Sequence, residues 1–240
     1  MDYNGDGRLD FLTGSISGKV YLYRRRPDGT FGFPEVLKRE VRGWIGTGTA
    51  VINAGAPSAV AMADWFDRGR LDLFIGVGDG HVYIVPNEGT RRRPVFRRIE
   101  QLTADGKPIV AAGGMAGPCV ADWDRDGRLD LLVGCASGRV VWFRNIGTKG
   151  KPQLAPGVTL VEPFDDRFLR NEDAFDHPKR SALDAKICVT DWNGDGWPDL
   201  VVGDYSYFRG ETSARLHGWV WVYLRKAPAQ TAGLGGIHHF

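Results

Sequence analysis

Oxygen-bearing side chains alternate in three short segments that share a central glycine. The first segment reads DYNGDGRLD and runs from Asp2 to Asp10, and similar segments begin at Asp122 and Asp191. When each is numbered as a nine-residue loop, positions one, three, five and nine carry Asp or Asn, and position six is glycine. Alternate side chains of a tight turn converge on one point, which suits the roughly six to eight oxygen ligands that Ca²⁺ prefers. We therefore predict about three Ca²⁺ sites.

The predicted ligands are the side chains at positions one, three, five and nine and the backbone carbonyl at position seven. They are Asp2, Asn4, Asp6, Arg8 and Asp10 in the first loop, Asp122, Asp124, Asp126, Arg128 and Asp130 in the third, and Asp191, Asn193, Asp195, Trp197 and Asp199 in the fourth. Magnesium fits less well, because it keeps several waters and requires octahedral geometry. Simple turn formation by Asp and Gly is the alternative for one isolated copy, but three copies favour the ion.

The second loop begins at Asp64 and breaks the pattern. Phe66 and Arg68 replace the ligands at positions three and five, whereas Asp64 and Asp72 keep positions one and nine. We expect the guanidinium of Arg68 to pair with both aspartates in place of an ion. This loop is therefore predicted to be degenerate, and the chain to bind three ions or fewer.

The loops belong to a longer repeat. Their first residues, Asp2, Asp64, Asp122 and Asp191, are 62, 58 and 69 residues apart. A short apolar run that ends in glycine follows each loop, and in the first three units a second glycine leads into another apolar run. This pattern predicts two strands joined by a tight turn. With the apolar run before each later loop and an edge-like run after the hairpin, each unit offers four strands.

Tandem antiparallel units of four strands must bury their faces on one another, which is the logic of a β-propeller. We predict an all-β fold, a propeller or partial propeller of about four four-stranded antiparallel blades, the first blade lacking its first strand. Residues 1–240 then form one array, with approximate units 2–57, 58–114, 115–182 and 183–226 and with 227–240 as a tail or closing strand. A β-sandwich is disfavoured by the regular period, and a β-helix has shorter repeats.

Four units leave the closure of the ring open. The chain could be a fragment of a longer propeller, several chains could complete one ring, or the ring could close small. A further alternative is that the tail, residues 231–240, returns to pair with residues 11–14 and supplies the missing strand. The connection at 163–185 could hold a turn of helix.

Composition excludes several classes of protein. Hydrophobic residues make up 42% of the chain and charged residues 25%, with 33 glycines, which is typical of a globular protein rich in turns. No apolar stretch reaches the roughly 18 residues of a membrane helix, and no signal peptide is visible in this chain. The three cysteines form no C-x-x-C motif, and Cys119 and Cys188 are expected to be small buried residues on first strands.

The motifs and the charge favour binding over catalysis. No nucleophile and base pattern is present, so an enzyme is the less favoured hypothesis. Ten of the 29 acidic residues lie in the three complete loops, which leaves 19 against 31 basic residues. The metal-loaded surface would be basic, with arginine triplets at 24–26 and 91–93, and an anionic polysaccharide would suit it. The alternative is that these charges keep edge strands soluble, and nucleic acid is not expected because no recognition motif accompanies them.

The segments DWDRDGRLDLLVG, from Asp122, and FRNIGT, from Phe143, resemble the FG-GAP or VCBS repeat in its bacterial form. The resemblance covers nearly the whole chain. It implies a calcium-binding propeller, usually of seven blades, in an extracellular, periplasmic or cell-surface setting. Related propellers include the integrin alpha-chain head, adhesion modules, lectins and some polysaccharide lyases, so the fold alone does not fix the function.

The leading hypothesis is a calcium-stabilised, non-catalytic binding or adhesion module for protein or glycan partners, with further blades from a longer chain or another subunit as another candidate partner. The alternative is a carbohydrate-active propeller, a lectin or a polysaccharide lyase, with its site near the insertion at 204–218. The candidate ligand-binding residues there are Tyr205, Tyr207, Phe208, Arg209, Arg215, His217 and Trp219. By contrast, Trp65, Trp123 and Trp192 recur at position two of their loops, which indicates packing between blades.

Overall fold

The computed structural model describes residues 1–43, 46–163, 183–209, 214–226 and 234–239. Within these ranges all regular secondary structure is β, in antiparallel sheets of two to four strands. Of residues 206–209, 214–217 and 234–239 only the backbone is described. The described ranges contain no helix of the length and apolarity that a membrane crossing requires.

Four sheets follow one another along the chain. Sheet 1 consists of β1 (Phe11–Thr13), β2 (Tyr21–Tyr23) and β3 (Glu35–Val36), and the hairpin of β4 (Lys38–Gly43) and β5 (Gly46–Val51) follows it. Sheet 2 consists of β6 (Ser58–Ala63), β7 (Asp72–Val77), β8 (Val82–Val85) and β9 (Glu100–Gln101), followed by the hairpin of β10 (Thr103–Ala104) and β11 (Lys107–Pro108). Sheet 3 consists of β12 (Gly117–Ala121), β13 (Asp130–Gly134), β14 (Val140–Phe143) and β15 (Val158–Val161). Sheet 4 consists of β16 (Leu183–Thr190), β17 (Asp199–Arg209), β18 (Ala214–Arg225) and β19 (Leu234–His239).

Each of the four sheets is a meander in which every strand pairs with the next strand along the chain. Short strands rich in Val, Leu and Ile, separated by glycine turns, favour this arrangement, since both faces of each sheet are then available for packing. In sheets 2, 3 and 4 the Asp-rich loop connects the first strand to the second. In sheet 1 the loop precedes β1, and this sheet has three strands.

The hydrophobic core lies between successive sheets. One cluster joins sheets 1 and 2, a second joins sheets 2 and 3, and a third joins sheets 3 and 4. Leu73 and Phe74, which are neighbours on β7, are both fully buried, but Leu73 packs towards sheet 1 and Phe74 towards sheet 3. Because alternate side chains of a strand point to opposite faces, each middle sheet contributes to two clusters.

A glycine at or beside the end of the strand that follows each loop lets the next sheet approach closely. A Cβ atom on Gly134 would lie 2.1 Å from the carbonyl oxygen of Ala185, and one on Gly76 would lie 2.2 Å from that of Ala116. Gly14 meets Ser58 in the same way. For the equivalent Gly203 of sheet 4, the nearest atom among the described residues is the carbonyl oxygen of Lys186, of its own sheet, at 3.8 Å.

The C-terminal segment corrects one alternative drawn from the sequence. Residues 234–239 do not pair with residues 11–14. They form β19, which pairs with β18 in the register Trp221 to His239 and Tyr223 to Ile237. The segment therefore completes sheet 4, because β18 offers a long apolar strand with an open edge. The helical turn considered for 163–185 falls mainly on residues outside the described ranges, and its last residues, 183–185, are part of β16.

Candidate metal centres and a ligand cleft

All four Asp-rich loops share one backbone conformation. Positions four and six have positive φ in each loop, as in Arg125 (62°) and Gly127 (83°) of the third. In the second loop the equivalent residues, Asp67 and Gly69, have φ values of 50° and 71°. Glycine at position six is thus needed for the turn itself, since residues with a Cβ rarely adopt such angles. The turn forms even where the ligands at positions three and five are absent.

The aspartate at position one holds this turn together. In the third loop Asp122 accepts hydrogen bonds from the backbone amides of Asp126 (3.0 Å) and Gly127 (2.9 Å). The same amides, at positions five and six, donate to position one in the other three loops. These bonds fix the orientation of the carboxylate before any ion binds.

The aspartate at position nine is buried and ties the loop to the second strand that follows it. Asp130 accepts the amide of Asn145, just past β14, at 2.7 Å and the amide of Trp123 at 3.2 Å. Asp10 and Asp199 make the equivalent pair of bonds. Burial raises the pKa of Asp130, and the amide of Asn145 opposes this rise. A cation beside this carboxylate would favour its charged form.

The third loop brings three carboxylates together. One oxygen atom each from Asp122, Asp124 and Asp130 lies within 4.8 Å of the others. The Oδ1 atom of Asp124 is buried and has no hydrogen-bond partner among the described residues. A buried carboxylate oxygen without a partner is costly, and this one belongs to a cluster of oxygen atoms that a hard cation would satisfy. The residues of the third loop therefore fit Ca²⁺.

Arginine side chains neutralise part of the third loop. The Nε atom of Arg144 lies 2.5 Å from Asp124 Oδ2, and its Nη2 lies 3.2 Å from Asp126 Oδ2. The charge of Asp124 raises the pKa of Arg144. Arg128 also pairs with Asp126. Asp126 thus forms ion pairs with two arginines, and it would have to break these ion pairs to bind the ion.

The first and fourth loops have an amide in place of one carboxylate. Asn4 Nδ2 donates to Asp6 Oδ2 at 3.0 Å, and Asn193 Nδ2 donates to Asp195 Oδ2 at 3.0 Å. Their Oδ1 atoms accept the amide of position five. The side chains of positions three and five are therefore adjacent in both loops, on the same backbone as the third. Coordination by the carbonyls of Arg8, Arg128 and Trp197 stays a prediction.

In the second loop, the guanidinium of Arg68 reaches one of the two aspartates that the sequence suggested. Its Nη2 donates to Asp72 Oδ1 at 2.7 Å, whereas Asp64 accepts the backbone amides of Arg68 and Gly69 instead. The guanidinium carbon lies 4.5 Å from the ring centroid of Phe66. Two residues that replace metal ligands thus pack on each other, and the arginine supplies a positive charge next to the buried Asp72.

Sequence reasoning missed the side chain at position seven. Arg8 donates to the backbone carbonyl of Arg25 at 3.2 Å, and Arg128 donates to that of Asn145 at 2.9 Å. Arg70 makes the equivalent bond to Gly89. The signal was present, since arginine occupies position seven in three of four loops. These arginines join each loop to the turn that follows the second strand after it.

The third and fourth loops are connected by arginine and tryptophan. The guanidinium of Arg225 lies 4.9 Å from the ring of Trp123 and 5.3 Å from that of Trp197, and Arg125 lies 4.6 Å from the ring of Trp197. Burial lowers the pKa of Arg225. Arg225 also donates its backbone amide to Asp199, at 2.7 Å, so its contacts link the third loop to the fourth.

The candidate ligand residues of the insertion are only partly described. Trp219 is half-buried and packs against the core between sheets 3 and 4, and Tyr205 pairs with Gly218. The side chains of Tyr207, Phe208, Arg209, Arg215 and His217 lie outside the described residues. Backbone pairing extends β17 and β18 through this insertion as a long hairpin, from Tyr205 with Gly218 to Arg209 with Ala214.

A cleft of about 250 Å³ lies between sheets 2 and 3. Trp65 and Phe66 contribute aromatic surface to it, and Glu100, Asp105 and Gln153 contribute polar groups. The backbone amide of Asp105 donates to the carbonyl of Leu154 at 3.0 Å. The turn between β10 and β11 is therefore fixed against sheet 3, and the cleft is a formed feature of the surface.

Comparison with known proteins identifies the family. A family model described as FG-GAP-like repeat matches residues 2–75 and 64–133. The chain therefore belongs to this family of repeat proteins. Among curated proteins none matches. A solved structure that resembles the whole chain is that of an Agrocybe aegerita lectin, studied for its specific recognition of non-reducing terminal N-acetylglucosamine, with 16% sequence identity and a TM-score of 0.42. The chain spans 64% of that lectin chain.

Proposed function

We propose that the chain is a calcium-stabilised propeller-type module that binds protein or glycan partners outside the cytoplasm and is not itself a catalyst. The observation that carries this proposal is one loop backbone built four times, with a full set of oxygen ligands in three copies. Membership of the FG-GAP-like family supports the propeller arrangement and the extracellular setting. The first strands of sheets 2, 3 and 4, which are β6, β12 and β16, lie next to one another in that order. This also supports the propeller arrangement.

The role proposed for the ion is to clamp the loop. Residues that would hold it in the third loop are Asp122, Asp124, Asp126 and Asp130, and the bound ion would supply positive charge among carboxylates that otherwise repel. In sheets 3 and 4 the loop joins the first strand to the second, and in sheet 1 it leads into β1. An ion that binds only the folded loop therefore stabilises the sheet.

Calcium titration by calorimetry tests this proposal. We expect about three ions for each chain, and about two after Asp124→Ala, which removes the oxygen ligand at position three and should lower affinity at the altered site about tenfold or more. Asp67→Asn is the matched control, because Asp67 lies at the surface of the second loop and pairs with Lys149. Four ions of similar affinity, or an unchanged count in the Asp124 variant, would contradict the assignment.

Charge supports an anionic glycan as one partner. The formal net charge is +2 without metal, and each Ca²⁺ adds two units. Positive side chains are clustered in arginine-rich segments such as residues 91–93. A cluster of positive charges attracts polyanions over about one Debye length. We expect the calcium-loaded chain to bind immobilised heparin at low salt and to elute at moderate salt. If the calcium-loaded chain passes through the column without being retained at low salt, anionic glycans are excluded as its ligands.

The cleft between sheets 2 and 3 favours a second candidate, a glycan that stacks on Phe66. Aromatic surface next to carboxylate and amide groups matches the apolar faces and hydroxyls of a sugar. A glycan array is expected to give binding that Gln153→Ala weakens, whereas calcium binding stays unchanged. Binding that is insensitive to Gln153 would assign the glycan to another surface.

A further inference from the structure

The third loop differs from the other two complete loops at position three. This position is aspartate in the third loop, Asp124, and asparagine in the first and fourth, Asn4 and Asn193. The third loop therefore carries four carboxylates, whereas each of the other two carries three. The additional carboxylate is paired with a cation, since the Nε atom of Arg144 lies 2.5 Å from Asp124 Oδ2.

Arg144 directly precedes the residue whose backbone amide binds the aspartate at position nine. The equivalent residues of the other units are Arg24, Pro86 and Leu224. In the described part of the chain, Arg24 pairs with the carboxylate of Glu35, at 2.9 Å, and not with a carboxylate of the first loop. The aspartate at position three and an arginine that pairs with it thus occur together, in the third unit.

A second carboxylate of the loop is also paired with Arg144, whose Nη2 lies 3.2 Å from Asp126 Oδ2. Arg128 donates its guanidinium to the same oxygen and its backbone amide to Asp126 Oδ1, the latter at 2.9 Å. Arg8 makes both of these bonds to Asp6 in the first loop. Because the contacts of position seven are common to the two loops, the contacts of Arg144 are what distinguishes the third.

The two oxygens of Asp124 have different surroundings. Oδ2 is paired with Arg144, whereas Oδ1 is buried and has no hydrogen-bond partner among the described residues. One oxygen of Asp124 also lies within 4.8 Å of oxygens of Asp122 and Asp130. The side chain of Asp124 is only 14% exposed. A guanidinium and a metal ion on this one carboxylate would therefore repel each other with little screening by water.

We propose that Arg144 competes with Ca²⁺ for the third loop and leaves Asp124 and Asp126 when the ion binds. This inference rests on the proposed calcium site of that loop. Without calcium, the guanidinium offsets part of the repulsion among the four carboxylates. With calcium, Arg144 is released at the surface, where its side chain is already 46% exposed. Calcium thereby converts a paired arginine into a free one, which can bind an acidic group of a partner.

Calorimetric titration of Arg144→Gln with calcium tests the competition. The variant keeps a long polar side chain but lacks the charge, so the ion that Asp124→Ala removes should bind about tenfold or more tightly. Arg24→Gln is the matched control, because it removes the same charge at the same repeat position, and it should leave that affinity unchanged. An unchanged affinity in the Arg144 variant would overturn the proposal. A lowered affinity would also overturn it, since Arg144 would then position Asp124 for the ion.

Thermal melting gives a readout that a purely structural role of Arg144 would not produce. In the presence of a chelator, Arg144→Gln should melt at a lower temperature than the parent chain, because the carboxylates lose a counter-charge. At saturating calcium this difference should disappear or reverse. Arg24→Gln should show the same shift under both conditions. An equal shift of the Arg144 variant with and without calcium would contradict the proposal.

Modification of arginine by a dicarbonyl reagent, mapped by mass spectrometry, measures the release directly. Calcium should speed the modification of Arg144 and leave that of Arg24 unchanged, and a rate at Arg144 that does not respond to calcium would overturn the proposal. If neither the parent chain nor Arg144→Gln binds an ion in the third loop, the calcium site and this inference both fail. If both bind the ion with equal affinity, only this inference fails.

Discussion

Asp72 shows how one buried carboxylate of the repeat is held without an oxygen-rich loop around it. Its side chain is fully buried, and it accepts the amide of Asn87 at 2.8 Å and the guanidinium of Arg68 at 2.7 Å. Burial raises the pKa of Asp72, and the amide and the arginine oppose this rise. The equivalent aspartates of the other loops lie beside further oxygen ligands, so this one depends most directly on its arginine.

Arg68→Ala should destabilise the chain by about 1 to 3 kcal/mol at neutral pH, because it leaves a buried charge without its partner. Since the folded-state pKa of Asp72 lies above the unfolded value, protonation favours the folded state, and the loss should shrink as the pH falls through that pKa. Urea denaturation at several pH values measures it. Arg98→Ala is the control, because Arg98 is 61% exposed and pairs at the surface. Equal losses of stability in the two variants would contradict the role of Arg68 as the partner of the buried Asp72.

At the scale of elements, the loop backbone is independent of its ligands. The second loop keeps the positive φ angles and the hydrogen bonds from positions five and six to Asp64, although it lacks two ligands. Substituting Phe66→Asp together with Arg68→Asp should therefore create a further Ca²⁺ site without remodelling the backbone. Calorimetry is expected to show one more ion than in the parent. An unchanged count would mean that the backbone alone does not specify the site.

The approach of successive sheets depends on glycine at the end of the second strand. Gly134→Ala should cost about 1 to 3 kcal/mol, because the added carbon meets a backbone oxygen that cannot move independently. Gly203→Ala is its control, since among the described residues the nearest atom to the added carbon lies 3.8 Å away, and alanine suits a strand interior better than glycine does. Thermal melting of both variants in parallel measures the difference. Equal losses would show that strand propensity, rather than the contact with Ala185, determines the effect.

At the scale of the whole molecule, the proposed ions act on sheets 1, 3 and 4 and not on sheet 2. Removing calcium with a chelator should lower the melting temperature. At a free concentration about 100 times the Kd, each site that only the folded chain forms contributes about 2.7 kcal/mol. Differential scanning calorimetry with and without calcium checks this, with magnesium at the same concentration as the control. A melting temperature that is unaffected by the chelator would remove the clamping role.

Much of this fold could be predicted from the repeat, but the features that depart from the repeat could not. The sequence predicted the four loops, the hairpins and the all-β architecture, because glycine and aspartate recur at fixed positions. It could not assign β19 to the edge of β18, since a glycine-rich tail carries little information on pairing. Packing of Trp192 was expected from the tryptophans of the other loops, but its side chain is half exposed, because burial depends on a neighbouring sheet.

Arg68 and Cys188 show the same limit at single residues. The sequence suggested that Arg68 would pair with both aspartates, but backbone amides already occupy Asp64. Cys188 was expected to be small and buried, yet it is exposed, whereas Cys119 at the equivalent position is largely covered, which raises the pKa of its thiol to about 11. The position of a residue in the repeat predicts its place on the strand. The surroundings of that residue depend on the next repeat.

In the described part of the chain the core forms three separate clusters, each shared by two successive sheets, and this has a consequence for cooperativity. A sheet in the middle of the array is held by two clusters and a terminal sheet by one. Opening of an end sheet breaks one interface, whereas opening of sheet 2 or 3 breaks two, as in a one-dimensional chain of nearest-neighbour couplings. Backbone amides of β7 and β13 should exchange with solvent deuterium most slowly, and the array should unfold from its ends inward.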